Sequence, residues 1–211
     1  GKYVDVTGSD EAADCINCGA GTYVGSMGSD EESDCTVCSP GSVAEIGSGT
    51  GAVTSGATVC TGCAVGQFSF NSTVNCSDCV AGQYSDTIGT SSCIGCVAGK
   101  YSPAVGSSFA GDCIDCAAGQ YVDATASDEA SDCIDCSAGK YVEATGSDAA
   151  TDCIDCDAGT YVESAGSFLE SNCTMCQAGR YSAVVGSSSA ADCIECLAGK
   201  YVAVAGSDEA T

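Results

Sequence analysis

The sequence predicts a small, disulfide-rich all-β fold, repeated as an elongated linear array of about ten units of ~20 residues each. Twenty of the 211 residues are Cys, and they fall into ten CxxC pairs. The last six pairs, from Cys93 to Cys193, follow one another at a constant step of 20 residues. Large apolar side chains are too scarce to form a core that offsets the conformational entropy of folding. Covalent cross-links are therefore expected to hold the fold together.

One complete repeat lies between Cys133 and Cys156 and reads CIDCSAGKYVEATGSDAATDCIDC. In every repeat a Gly is the third residue after the CxxC pair, which predicts a positive φ or a close backbone approach. An aromatic residue follows two places later, except at Val43, and is expected to cover a disulfide while its hydroxyl stays in solvent. Short strands are predicted around G-x-Y-V and before the next Cys, with turns between them.

The spacing of the CxxC pairs divides the chain into three regions. Regular repeats occupy 1–37 and 93–211, and irregular repeats with steps of 25, 16 and 17 residues occupy 38–92. The long step contains a Gly/Ser/Thr-rich stretch at 41–59, which is expected to be a flexible surface loop. Both termini fall inside a repeat, so we expect the chain to be a fragment of a longer protein.

The composition indicates an oxidising compartment and argues against several functions. The net charge is −24 with only five basic residues, so nucleic acid is not an expected partner. With no His and no nucleophile motif, the protein is not expected to be an enzyme. No apolar run is long enough for a membrane span. Secretion or display on a cell surface follows from the cysteine content.

Two further positions of the repeat, the residue before the aromatic and the first x of CxxC, also allow predictions. The residue before the aromatic holds all the basic side chains, which we expect to form a solvated face with weak pairing to Asp at most. These are Lys2, Lys100, Lys140, Arg180 and Lys200. The first x of CxxC is often Ile, which is expected to form a small buried plug between units. The Ile residues are Ile16, Ile94, Ile114, Ile134, Ile154 and Ile194.

The cysteines allow four interpretations: zinc ligands, redox-active pairs and two schemes of structural disulfides. The spacing fits a zinc ribbon, although no basic surface accompanies it, and ten redox-active pairs in series have no evident use. A crossed disulfide scheme, such as Cys15–Cys35 with Cys18–Cys38, satisfies all cysteines but makes alternate repeats inequivalent. A serial scheme links the second Cys of each pair to the first of the next and keeps every repeat equivalent, so we favour it.

The repeat from Cys136-Ser-Ala-Gly139-Lys-Tyr141 through Asp152-Cys153-Ile-Asp-Cys156 resembles the ephrin-receptor-like cysteine-rich repeat, a GCC2/GCC3-type unit. That repeat is itself similar to the first half of a tumour-necrosis-factor-receptor module. The resemblance implies serial pairing, which leaves Cys15 and Cys196 to pair outside the fragment. The implied disulfides are Cys18–Cys35, Cys38–Cys60, Cys63–Cys76, Cys79–Cys93, Cys96–Cys113, Cys116–Cys133, Cys136–Cys153, Cys156–Cys173 and Cys176–Cys193. Such repeats form spacers and stalks in many surface proteins, so the resemblance does not specify one function.

Three sequons predict Asn-linked glycans at Asn71, Asn75 and Asn172. Asn71 is the favoured site, because an exposed turn is expected there, whereas Asn75 and Asn172 stand in a slot that is Asp in most repeats. The near-identical repeats favour a structural component of an extracellular rod or filament, with copies of itself and glycans as partners. The alternative is the stalk or ligand-binding ectodomain of a receptor or adhesin. No cofactor is expected, although the acidic surface suits calcium bridging.

Overall fold

The structure, a computed structural model, describes residues 1–8, 11–47 and 51–209. Its described cysteines form nine disulfides, each linking the second Cys of one CxxC pair to the first Cys of the next. We call each closed segment a ring and name it by its two cysteines. The rings are 18–35, 38–60, 63–76, 79–93, 96–113, 116–133, 136–153, 156–173 and 176–193. This arrangement follows the serial scheme and not the crossed one.

The described strands pair antiparallel, two at a time, in ten small sheets. In each pair the first strand directly follows a Gly, and in nine of the ten described pairs it is two residues long, contains the aromatic residue and pairs with the two residues between the cysteines of a CxxC pair. The pairs are Lys2–Tyr3 with Ile16–Asn17, Thr22–Tyr23 with Thr36–Val37, Ser42–Glu45 with Val59–Gly62, Gln67–Phe68 with Ser77–Asp78, Gln83–Tyr84 with Ile94–Gly95, Lys100–Tyr101 with Ile114–Asp115, Gln120–Tyr121 with Ile134–Asp135, Lys140–Tyr141 with Ile154–Asp155, Thr160–Tyr161 with Thr174–Met175, and Arg180–Tyr181 with Ile194–Glu195.

A short 3-10 helix precedes the first Cys of seven CxxC pairs, those at Cys15, Cys35, Cys113, Cys133, Cys153, Cys173 and Cys193. The described 3-10 helices are Ala12–Asp14, Glu32–Asp34, Ala110–Asp112, Ala130–Asp132, Ala150–Asp152, Glu170–Asn172 and Ala190–Asp192. In the turn ending at Asp152, the Asp152 Oδ2 atom accepts hydrogen bonds from the backbone N–H groups of Asp148 (3.0 Å) and Ala149 (3.1 Å). A side chain that satisfies these N–H groups stabilises the turn locally, which explains the Asp before Cys.

The chain divides into two compact units, Gly1–Gly95 with Ala104–Asp112, and Cys96–Pro103 with Cys113–Thr211. Within the second unit, successive rings contact each other through backbone hydrogen bonds. Between rings 116–133 and 136–153 these bonds are Val122 N to Ser147 O (3.1 Å), Gly146 N to Cys116 O (2.9 Å) and Gly119 N to Val142 O (2.8 Å). The same three bonds recur at each 20-residue step of this unit, and because they join backbone atoms they do not depend on side-chain identity.

The Gly that follows the CxxC pair meets, at Gly139, both of the conditions that the sequence predicted. Gly139 has a φ of +87°, and a Cβ placed on it would lie 2.1 Å from the carbonyl oxygen of Gly186. That carbonyl belongs to the second ring along the chain, so the backbones of rings 136–153 and 176–193 approach closely here. A residue without a side chain is needed for this approach.

The core is a series of small clusters, each built on a disulfide. Cys116, Cys133 and Val122 are buried together, and Tyr101 of the preceding ring packs against them. The same arrangement recurs twenty residues later, where Tyr121 packs against the next such cluster. The aromatic residue therefore covers a disulfide, as predicted, and the disulfide belongs to the following ring.

Two expectations about burial are wrong. The Ile residues of CxxC are not buried plugs, because their exposed fractions run from 39% at Ile16 to 55% at Ile194. Each Ile lies in the short strand outside the disulfide cluster, and the buried position is filled by Val residues such as Val122. The stretch 41–59 is also not simply a surface loop. Residues 48–50 lie outside the described ranges, but Val43–Glu45 are buried strand residues that pair with Val59–Thr61.

Candidate functional site

The strand pair of each ring places the residue before the aromatic opposite the last x of the following CxxC pair. In this register Lys140 lies across from Asp155, and their Nζ and Oδ1 atoms are 2.6 Å apart. Arg180 and Glu195 form the same contact at 2.6 Å, and Lys100 pairs with Asp115. These three basic residues are therefore paired as well as partly solvated, which agrees with the expected solvated face and its weak pairing to carboxylates. Each exposed pair contributes about 0–1 kcal/mol.

Neutral side chains make the same cross-strand contact where no basic residue is present. Gln120 donates from Nε2 to Asp135 Oδ1 at 2.8 Å, and Gln67 donates in the same way to Asp78 at 2.9 Å. In these five repeats the slot holds a long side-chain donor opposite a carboxylate, with or without a positive charge on the donor. The charge of the carboxylate is balanced only where the donor is basic, at Lys100, Lys140 and Arg180.

The three sequon asparagines have different surroundings. Asn71 is half-buried, and its Oδ1 accepts hydrogen bonds from the backbone N–H (3.0 Å) and the hydroxyl (2.7 Å) of Thr73. Asn75 is exposed, and its Oδ1 accepts from Ala52 N at 2.7 Å. Asn172 is half-buried at the end of a 3-10 helix. Exposure thus favours Asn75 more, and Asn71 less, than the sequence suggested.

The remaining site candidates concern cysteines and metals. Cys15 and Cys196 are half-buried and carry no disulfide, and their pairing outside this chain stays a prediction. Within the ranges that the structure describes, no three His, Cys, Asp or Glu side chains are grouped so as to hold a metal ion. The cysteines that a zinc ribbon would need as thiolates are bonded to each other instead.

Serial disulfides, two-residue strand pairs and repeated backbone contacts define this protein as a disulfide-rich β-repeat array. Residues 66–113 and 146–193 match the family described as tyrosine-protein kinase ephrin type A/B receptor-like. The match confirms the resemblance to a cysteine-rich repeat, and that repeat belongs to receptor-like proteins and not to an enzyme family. None of the curated proteins compared with the chain matches it.

The disulfides and the receptor-like repeat together indicate an extracellular or cell-surface location. In the described part of the chain, no helix has the length and apolar character that crossing a bilayer requires.

Proposed function

We propose that this chain is a structural segment of an extracellular rod or filament built from disulfide-linked repeats. The observation that carries the proposal is the set of three backbone hydrogen bonds that recurs between successive rings of the second unit. A contact that repeats without regard to side chains suits a protein whose role is to extend a uniform structure. Copies of such a chain present the same features at regular intervals. They are therefore expected to associate in an open-ended way, which gives filaments and not closed oligomers.

Electron microscopy of native material tests the filament. Regular fibres that contain this chain, identified by mass spectrometry of the fibre fraction, are the expected result. Calcium should promote bundling, because divalent cations screen a net charge of −24. A monodisperse monomer over a wide concentration range, with and without calcium, would contradict the filament.

A stalk or ligand-binding ectodomain of a receptor or adhesin is the second candidate, and the receptor-like family match favours it. The two candidates differ in assembly and in partners. A stalk remains monomeric in calcium-containing buffer and holds another domain away from a membrane, whereas the filament protein associates with copies of itself.

The proposal includes the serial disulfides, because they make every repeat equivalent. Peptide mapping of native, non-reduced protein should recover Cys116 linked to Cys133. Recovery of Cys113–Cys133 together with Cys116–Cys136 would establish the crossed scheme and remove the equivalence of the repeats.

We also propose that the filament carries Asn-linked glycans. Asn75 is exposed, and its amide oxygen is held by Ala52 N, so the amide nitrogen can face a glycosyl donor. Glycopeptide mass spectrometry of native protein should find glycans at Asn75 and Asn71, with Asn172 as the third site. Bare asparagine at all three positions in material from a eukaryotic secretory pathway would contradict this part of the proposal.

A further inference from the structure

A groove in the second unit differs from its counterparts in the other repeats. It has a volume of about 610 Å³, and its lining includes Tyr141, Asp157, Thr160, Glu170 and Met175. The strand register places Thr160 opposite Met175, which are the positions of Lys140 and Asp155 one repeat earlier. This ring therefore lacks the charged pair that its neighbours carry.

The corresponding groove one repeat later shows what normally occupies this space. It is lined by Tyr161, Gln177, Arg180, Ala190 and Cys193 among others, each twenty residues after its counterpart. There the Arg180 side chain extends from the strand and binds Glu195 at 2.6 Å. Where Thr160 replaces the arginine, the threonine hydroxyl turns back to its own backbone and donates to Asp157 O at 2.7 Å. The basic side chain that lines the groove in one repeat is thus absent from the other.

The open groove also has more negative charge than its counterpart. Asp157 and Glu170 take the places of Gln177 and Ala190, and both carboxylate residues are exposed. Glu143 lies beside them, since its Oε1 atom accepts a hydrogen bond from Glu170 N at 3.3 Å. Partial burial raises the pKa of Tyr141, and the charges of Glu170, Glu143 and Asp157 raise it further. These carboxylates and the Tyr141 hydroxyl therefore lie in the same region of the surface.

We propose that this groove binds an arginine side chain of a partner protein. Charge complementarity identifies the occupant, because the groove has gained carboxylates and lost its own basic side chain. A guanidinium group can stack on the Tyr141 ring while it donates to Asp157 and Glu170 at the rim. The equivalent position of Arg180 shows that the fold accommodates such a side chain here. The inference does not depend on filament formation.

The two methionines of the chain allow a direct test on the soluble 211-residue protein. Met175 lines the groove, whereas Met27 is fully exposed (101%) and lies in the other unit. With ¹³C-methyl methionine labelling, the probe is the capped tripeptide acetyl-Gly-Arg-Gly-amide, titrated at low salt. We expect a saturable shift of the Met175 methyl signal and none at Met27. The same peptide with citrulline, which is neutral and of similar shape, should produce no saturable shift.

Variants made from residues of the neighbouring repeat separate binding from misfolding. Asp157→Gln with Glu170→Ala installs the side chains found at positions 177 and 190 and should weaken binding at least about fivefold. Thr160→Arg supplies an internal guanidinium and should abolish the Met175 response. Equal responses to the arginine and citrulline peptides, an equal shift at Met27, or unchanged affinity in the double variant would overturn the proposal.

Discussion

Rings 136–153 and 63–76 differ in length yet make the same contacts with the ring that follows. Their cysteines are 17 and 13 residues apart. In the longer ring the bonds are Val142 N to Ser167 O (3.2 Å), Gly166 N to Cys136 O (2.8 Å) and Gly139 N to Val162 O (2.8 Å). In the shorter ring they are Ser69 N to Thr90 O (3.2 Å), Gly89 N to Cys63 O (2.8 Å) and Gly66 N to Ser85 O (2.7 Å).

The difference in length falls in one segment of the ring. Ring 136–153 contains the 3-10 helix Ala150–Asp152 before its closing Cys, whereas the described residues of ring 63–76 contain no 3-10 helix. The shortened segment lies between the inter-ring contacts and the disulfide. A ring can therefore lose residues there without disturbing its backbone bonds to the ring that follows, and the constant features are the Gly and these backbone bonds.

Reduction should cause the largest change, because the disulfide clusters supply most of the core. Treatment with a thiol reductant should abolish the near-ultraviolet circular dichroism of Tyr. It should also remove the chemical-shift dispersion of the amide signals in NMR spectra. The folded structure of the short ring 63–76 and that of the long ring 136–153 should be lost together. A metal chelator is the control and should leave both spectra unchanged, and unfolding by the chelator alone would contradict disulfide stabilisation.

Removing one disulfide from each type of ring sharpens the comparison. Cys136→Ser with Cys153→Ser, and Cys63→Ser with Cys76→Ser, should each lower the free energy of unfolding by about 3 kcal/mol. The loop-entropy relation makes the two losses differ by only about 0.2 kcal/mol, since it depends on the logarithm of ring length. Denaturant unfolding measures both. A much larger loss in the regular ring would show that the 3-10 helix contributes substantially to stability.

The close backbone approach can be separated from positive φ by two matched substitutions. Gly139 and Gly179 have φ values of +87° and +85°, but only the Cβ of Gly139 would meet the Gly186 oxygen, at 2.1 Å. Both Gly→Ala changes should cost about 1–2 kcal/mol for the left-handed backbone. Gly139→Ala should lose about 1–3 kcal/mol more through the steric clash. Equal losses in thermal or denaturant unfolding would argue against a close approach.

Ala126 offers the opposite test, since it occupies a slot that is Gly in neighbouring repeats, with a φ of +60°. Ala126→Gly should raise the free energy of unfolding by about 0.5–1 kcal/mol, because relief of the left-handed strain outweighs the added freedom of the unfolded chain. Ala124→Gly in the same ring is the control and should lower stability. Destabilisation by both changes would mean that the strain at Ala126 is negligible.

The smallest effect is expected at the cross-strand pairs. Lys140→Gln reproduces the Gln120–Asp135 contact of the preceding ring, and it should change stability by less than about 0.5 kcal/mol. The change should shrink further at high salt, because the Lys140 and Asp155 side chains are 35% and 44% exposed. A loss above about 1 kcal/mol would show that the charge, and not the donor geometry, matters in this slot.

The sequence was sufficient to predict the repeat, the short strands and the required Gly, because each produces a recurring residue type at a fixed position. It was not sufficient for the burial of Ile114 and its equivalents, since a two-residue strand has no alternation from which to read a face. The contact between Gly139 and Gly186 joins backbone atoms 47 residues apart and has no side-chain signature. The groove at Tyr141 required knowing that positions 160 and 175 face each other, which the sequence does not show.

The serial disulfides also determine how the chain responds to tension. A pulling force passes through the bond between Cys116 and Cys133, whose Cα atoms are 5.7 Å apart, and then along the three backbone steps to Cys136. At about 3.5 Å per residue, one repeat can lengthen to only ~16 Å, against ~70 Å for an uncross-linked chain of the same length. The residues inside the ring carry no load. A segment of this design cannot extend beyond this limit even after its hydrogen bonds have broken.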